Sequence, residues 1–335
     1  MVLHKWLLIS SLCLLSACSD NVADINEEYK TRLSAVINTP PAEPKLENVN
    51  FPKVHLSESK HHISILELGS LAHCKLSTLV AKRNNQLGKT QVPSERFKYQ
   101  IRFITLANEC LTDPLTTDES LKQTLAAAVL EKQQTLSDDF EYMLFNESEL
   151  KGLLQLTSYY LPADNKAYSS FSALEAITLL TSISEKIHRE AYSDIEPNSL
   201  TDALEKLHQN QFIKRLLSSA RLQIAYNQQL TQWLSQFDYT AKVCQAGKNK
   251  NEAQILNAVF NKFYLNRIQG YQADLTGQLE KASPLLFLLW KNHEKIAGLV
   301  DVQNQSSLLN RLKQTSKEHV VWWQNFYKAC DIKPV

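Results

Sequence analysis

Only seven glycines are spread over 335 residues, far below the usual share of about 7%. Tight β-turns and strand bulges call for positive φ, which glycine alone adopts without strain. A large sheet is therefore not expected. The long segments instead carry apolar residues at helical spacing. Ile213, Leu217, Ala220 and Ile224 keep a 4-3-4 rhythm, resumed by Leu230, Leu234 and Phe237 after the polar Asn227. Leu256, Val259, Phe263, Tyr271, Leu275 and Leu279 form a second stripe. Leu308, Leu312, His319, Trp322 or Trp323, Phe326 and Cys330 form a third. The expected fold is an all-α multi-helix bundle with long C-terminal helices.

The pattern predicts helices over 63–84, 94–111, 118–136, 147–160, 170–189, 198–238, 251–282, 284–298 and 305–330. Ser94, Asn198-Ser199, Asn251 and Ser306-Ser307 read as N-caps, and Ser283-Pro284 as a cap followed by proline at the first helical position. The stretch Asp194-Ile195-Glu196-Pro197 reads as a boundary between an N-terminal helical subdomain, 63–197, and a C-terminal one, 198–335. Before them, 19–62 holds a short tether helix (Ile25, Tyr29, Leu33, Val36) and a linker with prolines at 40, 41, 44 and 52. Fully extended, that segment reaches over ~100 Å. A compact tether packed on the domain is the expectation. No 34- or 40-residue repeat points to a solenoid.

The chain opens on a cationic start, His4-Lys5, then an apolar run, Trp6 to Leu14, closed by Leu15-Ser16-Ala17-Cys18. That run is of signal-peptide length and too short for the ~20 residues of a membrane span. The final tetrapeptide resembles the lipobox of bacterial lipoproteins. The resemblance implies cleavage before Cys18, then diacylglycerol on its thiol and an N-acyl chain. Ser19 at the second mature position implies sorting to the outer membrane, with the domain facing the periplasm. Without Lys5, thirty-five basic residues balance thirty-five acidic ones, which leaves no electrostatic footprint for nucleic acid. No transmembrane helix is expected in the mature chain.

Four cysteines remain: Cys74, Cys110, Cys244 and Cys330. An even number in an oxidising compartment reads as two disulfides, with three possible connectivities. Cys74–Cys110 with Cys244–Cys330 is preferred, because each pair then lies within one half of the chain. No CxxC or CxxCH is present to suggest redox, zinc-ribbon or haem chemistry.

Around the first pair the chain reads Cys74-Lys75-Leu76-Ser77-Thr78-Leu79-Val80-Ala81-Lys82-Arg83-Asn84-Asn85-Gln86-Leu87-Gly88-Lys89 and continues through Ser94, Arg96, Tyr99, Phe103 and Leu106 to Cys110. With the lipobox and the length, it resembles a family of Gram-negative lipoproteins classed as domain of unknown function 3080. The resemblance is most legible over 15–110. It implies a lipoprotein and carries no assigned activity or catalytic residue.

The turn Arg83, Asn84, Asn85, Lys89, Arg96 is the densest hydrogen-bonding cluster, and its cations suit a carboxylate or phosphate. The same residues also serve to end one helix and clamp the next. His55, His61, His62 and His73 lack acidic neighbours at ligand spacing, so no metal is expected. His319 reads as a core histidine with one nitrogen satisfied. Asp138-Asp139 reads as helix-end charge. Ser57–Lys60 and Ser148–Lys151 match S-x-x-K without the S-D-N and K-T-G elements that such enzymes need. Adjacent Trp322 and Trp323 cannot both face one seam, so one is expected to be partly exposed, which marks an interface or ligand groove, with packing under the Cys330 disulfide as the commoner reading. No cofactor is expected beyond the acyl groups on Cys18. The expected function is a non-enzymatic envelope accessory protein that holds a protein partner through Arg83–Arg96 and Trp322/Trp323. The alternatives are a binder of a lipid or small apolar ligand between Leu286, Leu289 and Trp290, and an envelope hydrolase.

Overall fold

The computed structural model describes residues 21–47, 53–56, 65–84, 91–163, 170–247 and 249–333. The leader with Cys18, His61, His62, Asn85, Lys89 and the Ser57–Lys60 pair lie outside the described residues. Among the described residues all regular structure is helical, as the glycine deficit implies.

Helix α1 (Val22–Ile37) is capped by Asn21, whose side-chain oxygen accepts from Ala23 N. Helices α2 (Ile65–Ser70) and α3 (Lys75–Asn84) replace the single helix expected over 63–84. Helices α4 (Pro93–Thr112) and α5 (Glu119–Asn146) form a long hairpin. Val92 and Pro93, not Ser94, open α4. The first turn is completed from a distance, where the buried Glu147 accepts from Ser94 N at 2.7 Å. The helix expected over 147–160 is only α6 (Ser148–Lys151), followed by an irregular segment. Its amides are held by side chains instead: Ser218 and Ser219 Oγ accept from Thr157 N and Leu161 N.

Helix α7 (Ser170–His188) packs on α8 (Pro197–Leu207), which Glu196 caps. The helix expected over 198–238 is thus two, α8 and α9 (Phe212–Ser235), broken where Gln209 adopts φ 57° and Asn210 Oδ1 accepts from Phe212 N. After α10 (Tyr239–Lys242) comes one continuous rod: α11 (Asn251–Val259), a π-helical segment (Phe260–Ile268) and α12 (Gln269–Trp290). Pro284 lies inside α12, so the break expected at Ser283-Pro284 does not occur. The chain returns through α13 (Glu294–Val300) into α14 (Leu308–Cys330), capped by Ser307.

Two apolar cores result. The first joins α3, α4, α5, α7 and α8 to 212–224 of α9, 271–290 of the rod and 308–312 of α14. The second joins α1 to 222–234, α11, the π segment and 323–330. The first core thus draws on helices from both sides of the 194–197 stretch. Side chains that pack in this way contribute about 1.5–3 kcal/mol each when fully buried. Cys74 bonds Cys110 and Cys244 bonds Cys330, with Cα separations of 5.7 and 5.3 Å. The second pairing holds because the rod and α14 run antiparallel, pairing Asn257 with Tyr327, Gln272 with Ser316 and Glu280 with Lys313, which leaves both cysteines at one end.

Candidate functional site

The polar turn singled out in the sequence becomes part of a larger cluster on α3, α4 and α5. Residues 96, 99, 100 and 103 share one face of α4 by their i, i+3, i+4 spacing. Arg96 Nε donates to Asp139 Oδ1 at 2.9 Å. The Arg83 guanidinium lies 5.6 Å from the Tyr99 ring centre. From α5, Lys132 Nζ sits over Phe103 and Tyr99 at 4.8 and 5.5 Å and donates to Gln100 Oε1 at 2.8 Å. Cationic groups over ring faces are held by the ring quadrupole. The Cys74–Cys110 bond ties the start of α3 to the end of α4, which brings Arg83 back to Tyr99.

Asp139 is not a helix-end charge as expected: it is mid-helix and only 3% exposed. Burial pushes its carboxyl up, opposed by the Arg96 hydrogen bond and charge. Burial lowers Lys132, with Asp139 pulling the other way and Arg96 and Arg83 adding repulsion. Arg83 is lowered by burial and then by Arg96. Arg83, Arg96 and Lys132 therefore crowd together beside the Asp139 carboxylate, with Glu131 also acting on Lys132. Asn84 ends α3 on the surface. Of the expected residues, Arg83 and Arg96 meet here. Lys132 was not singled out and Asp139 was read only as helix-end charge, because both are distant in the chain from Arg83 and Arg96 and only the α4–α5 hairpin brings them in.

A second constellation lies between the two cores. Gln272 Nε2 donates to Gln223 Oε1 and Asn227 Oδ1 at 2.9 and 3.0 Å, and Gln272 Oε1 accepts from Ser316 Oγ and Tyr264 Oη at 2.7 and 3.1 Å. Next to it His319 is fully buried. Its Nδ1 meets Thr231 Oγ1 and its Nε2 meets Tyr29 Oη, both at 2.9 Å, and Trp323 Nε1 donates to that Nε2 at 3.3 Å. Both nitrogens are engaged, not one. Burial pushes His319 down to about 3, so the ring is neutral, and none of these partners is a carboxylate. The layer approaches the surface at a groove of about 360 Å³ lined by Tyr264, Gln269, Ser316, Lys317, Val320, Val321 and Gln324. Asn227, the polar break in the α9 stripe, was the one visible sign of it.

Trp323 is fully buried, stacked on Phe260 at 4.4 Å. Trp322 is half-buried, stacked on Phe326 and edge-on to Tyr239. The pair thus splits as expected, with Trp322 the outer ring. Leu286, Leu289 and Trp290 are all buried. The cavity beside Leu289 is about 20 Å³, room for one water. His73 lies beside Cys74 and Cys110, but the disulfide removes both thiolates, and His73 Nε2 meets Thr116 Oγ1 instead. His55 is exposed.

No helix among the described residues is long and apolar enough to cross a membrane. No curated protein and no solved structure matches the chain. A family model covering residues 26–334 does match, and the chain belongs to the family described as Protein of unknown function (DUF3080).

Proposed function

We propose that this protein is a lipoprotein anchored in the outer membrane through Cys18, faces the periplasm, and acts as a non-enzymatic accessory protein that holds an envelope partner. The address rests on the Leu15–Cys18 motif and on two disulfides, which persist in oxidising compartments. The observation that carries the holding role is the Arg83–Arg96–Lys132 cluster, a half-buried surface where three cations lie within reach of one another. Guanidinium and ammonium groups on aromatic faces suit an acidic segment of a partner. Trp322 is a second contact, on the opposite core. Arg96 and Trp323 support these surfaces from within.

The test is in-cell crosslinking of the native lipoprotein, with mass spectrometry of what co-purifies from outer membranes. A near-stoichiometric envelope protein is expected. Its recovery should fall about tenfold in Arg83→Ala/Lys132→Ala, with circular dichroism unchanged. Recovery of the protein alone refutes the holding role.

A further inference from the structure

The start of α1 says which way the domain faces. Glu28 pairs with Arg267 at 3.3 Å, and the Tyr29 and Tyr264 ring centres lie 5.8 Å apart. Val22 lies in the first core with Tyr271, while Ile25, Tyr29 and Leu33 lie in the second with 253–268, so the N-terminus of α1 points toward Tyr271. Tyr271 Oη donates to Leu161 O at 3.0 Å, which places the irregular segment 152–163 near where α1 begins. That segment is also tied to the first half of α9 through Ser218 and Ser219, and two unusual side chains lie at the head of that helix. Tyr159 is 68% exposed, with the Arg215 guanidinium 5.7 Å from its ring centre. Phe171 is 75% exposed and opens α7, where Ser172 Oγ accepts from Asn210 at the head of α9.

Tyr29 and Leu33 are fully buried, so α1 cannot be drawn out as a tether. Between Cys18 and Val22 stand three residues, a reach of about 14 Å at most. We propose that the lipid surface carrying the Cys18 acyl chains lies against the face bearing Tyr159 and Phe171, which seats the domain on the bilayer in one orientation. The proposal rests on the anchoring reading above. Aromatic rings with a polar rim or neighbour favour the headgroup level of a bilayer, and a guanidinium beside the ring suits a lipid phosphate. Ile255, also exposed at 51%, lies roughly 24 Å along the rod from Tyr271 and is the control position.

The experiment uses the full lipidated chain in vesicles of phosphatidylethanolamine and phosphatidylglycerol whose acyl chains are brominated near the headgroup. Tyr159→Trp, Phe171→Trp and Ile255→Trp are compared with the parent for quenching of the added emission. Quenching at 159 and 171 at least twofold above that at 255 is expected. Equal quenching at all three positions overturns the orientation. Radioactive palmitate labelling of the same variants reads the anchor separately. Labelled but unquenched protein sinks this inference alone, whereas unlabelled protein sinks the anchor and the inference with it.

Discussion

His319 shows how a polar residue enters an apolar stripe at no loss of fold. Trp323 Nε1 and Tyr29 Oη both approach its Nε2, which makes Nε2 the acceptor and leaves the proton on Nδ1, directed at Thr231. A second proton would put a charge in a site closed to water. The sign follows from linkage: the folded ring is held down to about 3, while the unfolded one binds a proton near 6.5. Stability is therefore complete above pH ~6.5 and falls as pH drops toward 3, by at most about 1.4 kcal/mol per pH unit from this group. Urea unfolding at a series of pH values should show that slope in the parent and a shallower one in His319→Gln. Equal slopes would mean that other groups dominate acid sensitivity. The facing titratable groups are Tyr29 and Tyr264, both pushed up by burial, so neither charges in this range.

At the level of single helices, glycine scarcity has a consequence at the C-termini. Among the described residues four non-glycine positions take positive φ, each just past a helix: Asn38 after α1, Glu190 after α7, Gln209 after α8 and Asp331 after α14. The left-handed conformation strains a side-chain-bearing residue by about 1–2 kcal/mol, and glycine usually fills this place. Gln209→Gly should therefore raise unfolding stability by about 1 kcal/mol in a denaturant titration. A loss of stability would show that the Gln209 side chain contributes contacts outweighing its backbone strain. The same feature explains why the α8–α9 break was not legible: His208-Gln209-Asn210-Gln211 contains neither glycine nor proline. Conversely Pro284 looked like a helix start but sits inside α12. There it loses one backbone bond, while Leu286, Leu289 and Trp290 remain packed. Tertiary burial outweighs the local signal.

For the whole molecule, the polar layer of Gln223, Asn227, Gln272 and Ser316 divides one set of helices into two cores. A buried polar layer that is largely satisfied favours one register of packed helices over its neighbours. Each core also has its own disulfide. Closing loops of 36 and 86 residues contributes about 4–5 kcal/mol each on the chain-entropy account. Cys244→Ser/Cys330→Ser should lower the calorimetric midpoint by about 10 °C and perturb the near-ultraviolet signal of Trp322, which packs edge-on to Tyr239, whose carbonyl oxygen lies 3.3 Å from Cys244 Sγ. An unchanged midpoint would show that α1 and the stacked aromatics hold that core without the bond.

The amino-acid sequence by itself determined the helical class, the three long apolar stripes and the family, and it left the disulfide pairing as a preference among three connectivities. Each of these is a local or compositional property: spacing along a helix, glycine content, cysteine position. The chain also marked Arg83 and Arg96 as a polar turn and implied that Trp322 and Trp323 face different ways, while the structure decided that Trp322 is the outer one. Tertiary structure alone decided that α1 is sewn into the second core, that Lys132 and Asp139 join the cationic cluster, and that Gln272 meets Gln223 and Asn227. Those contacts pair residues dozens to hundreds of positions apart, and no local preference encodes them. They follow from how antiparallel helices settle into register once their apolar faces are buried.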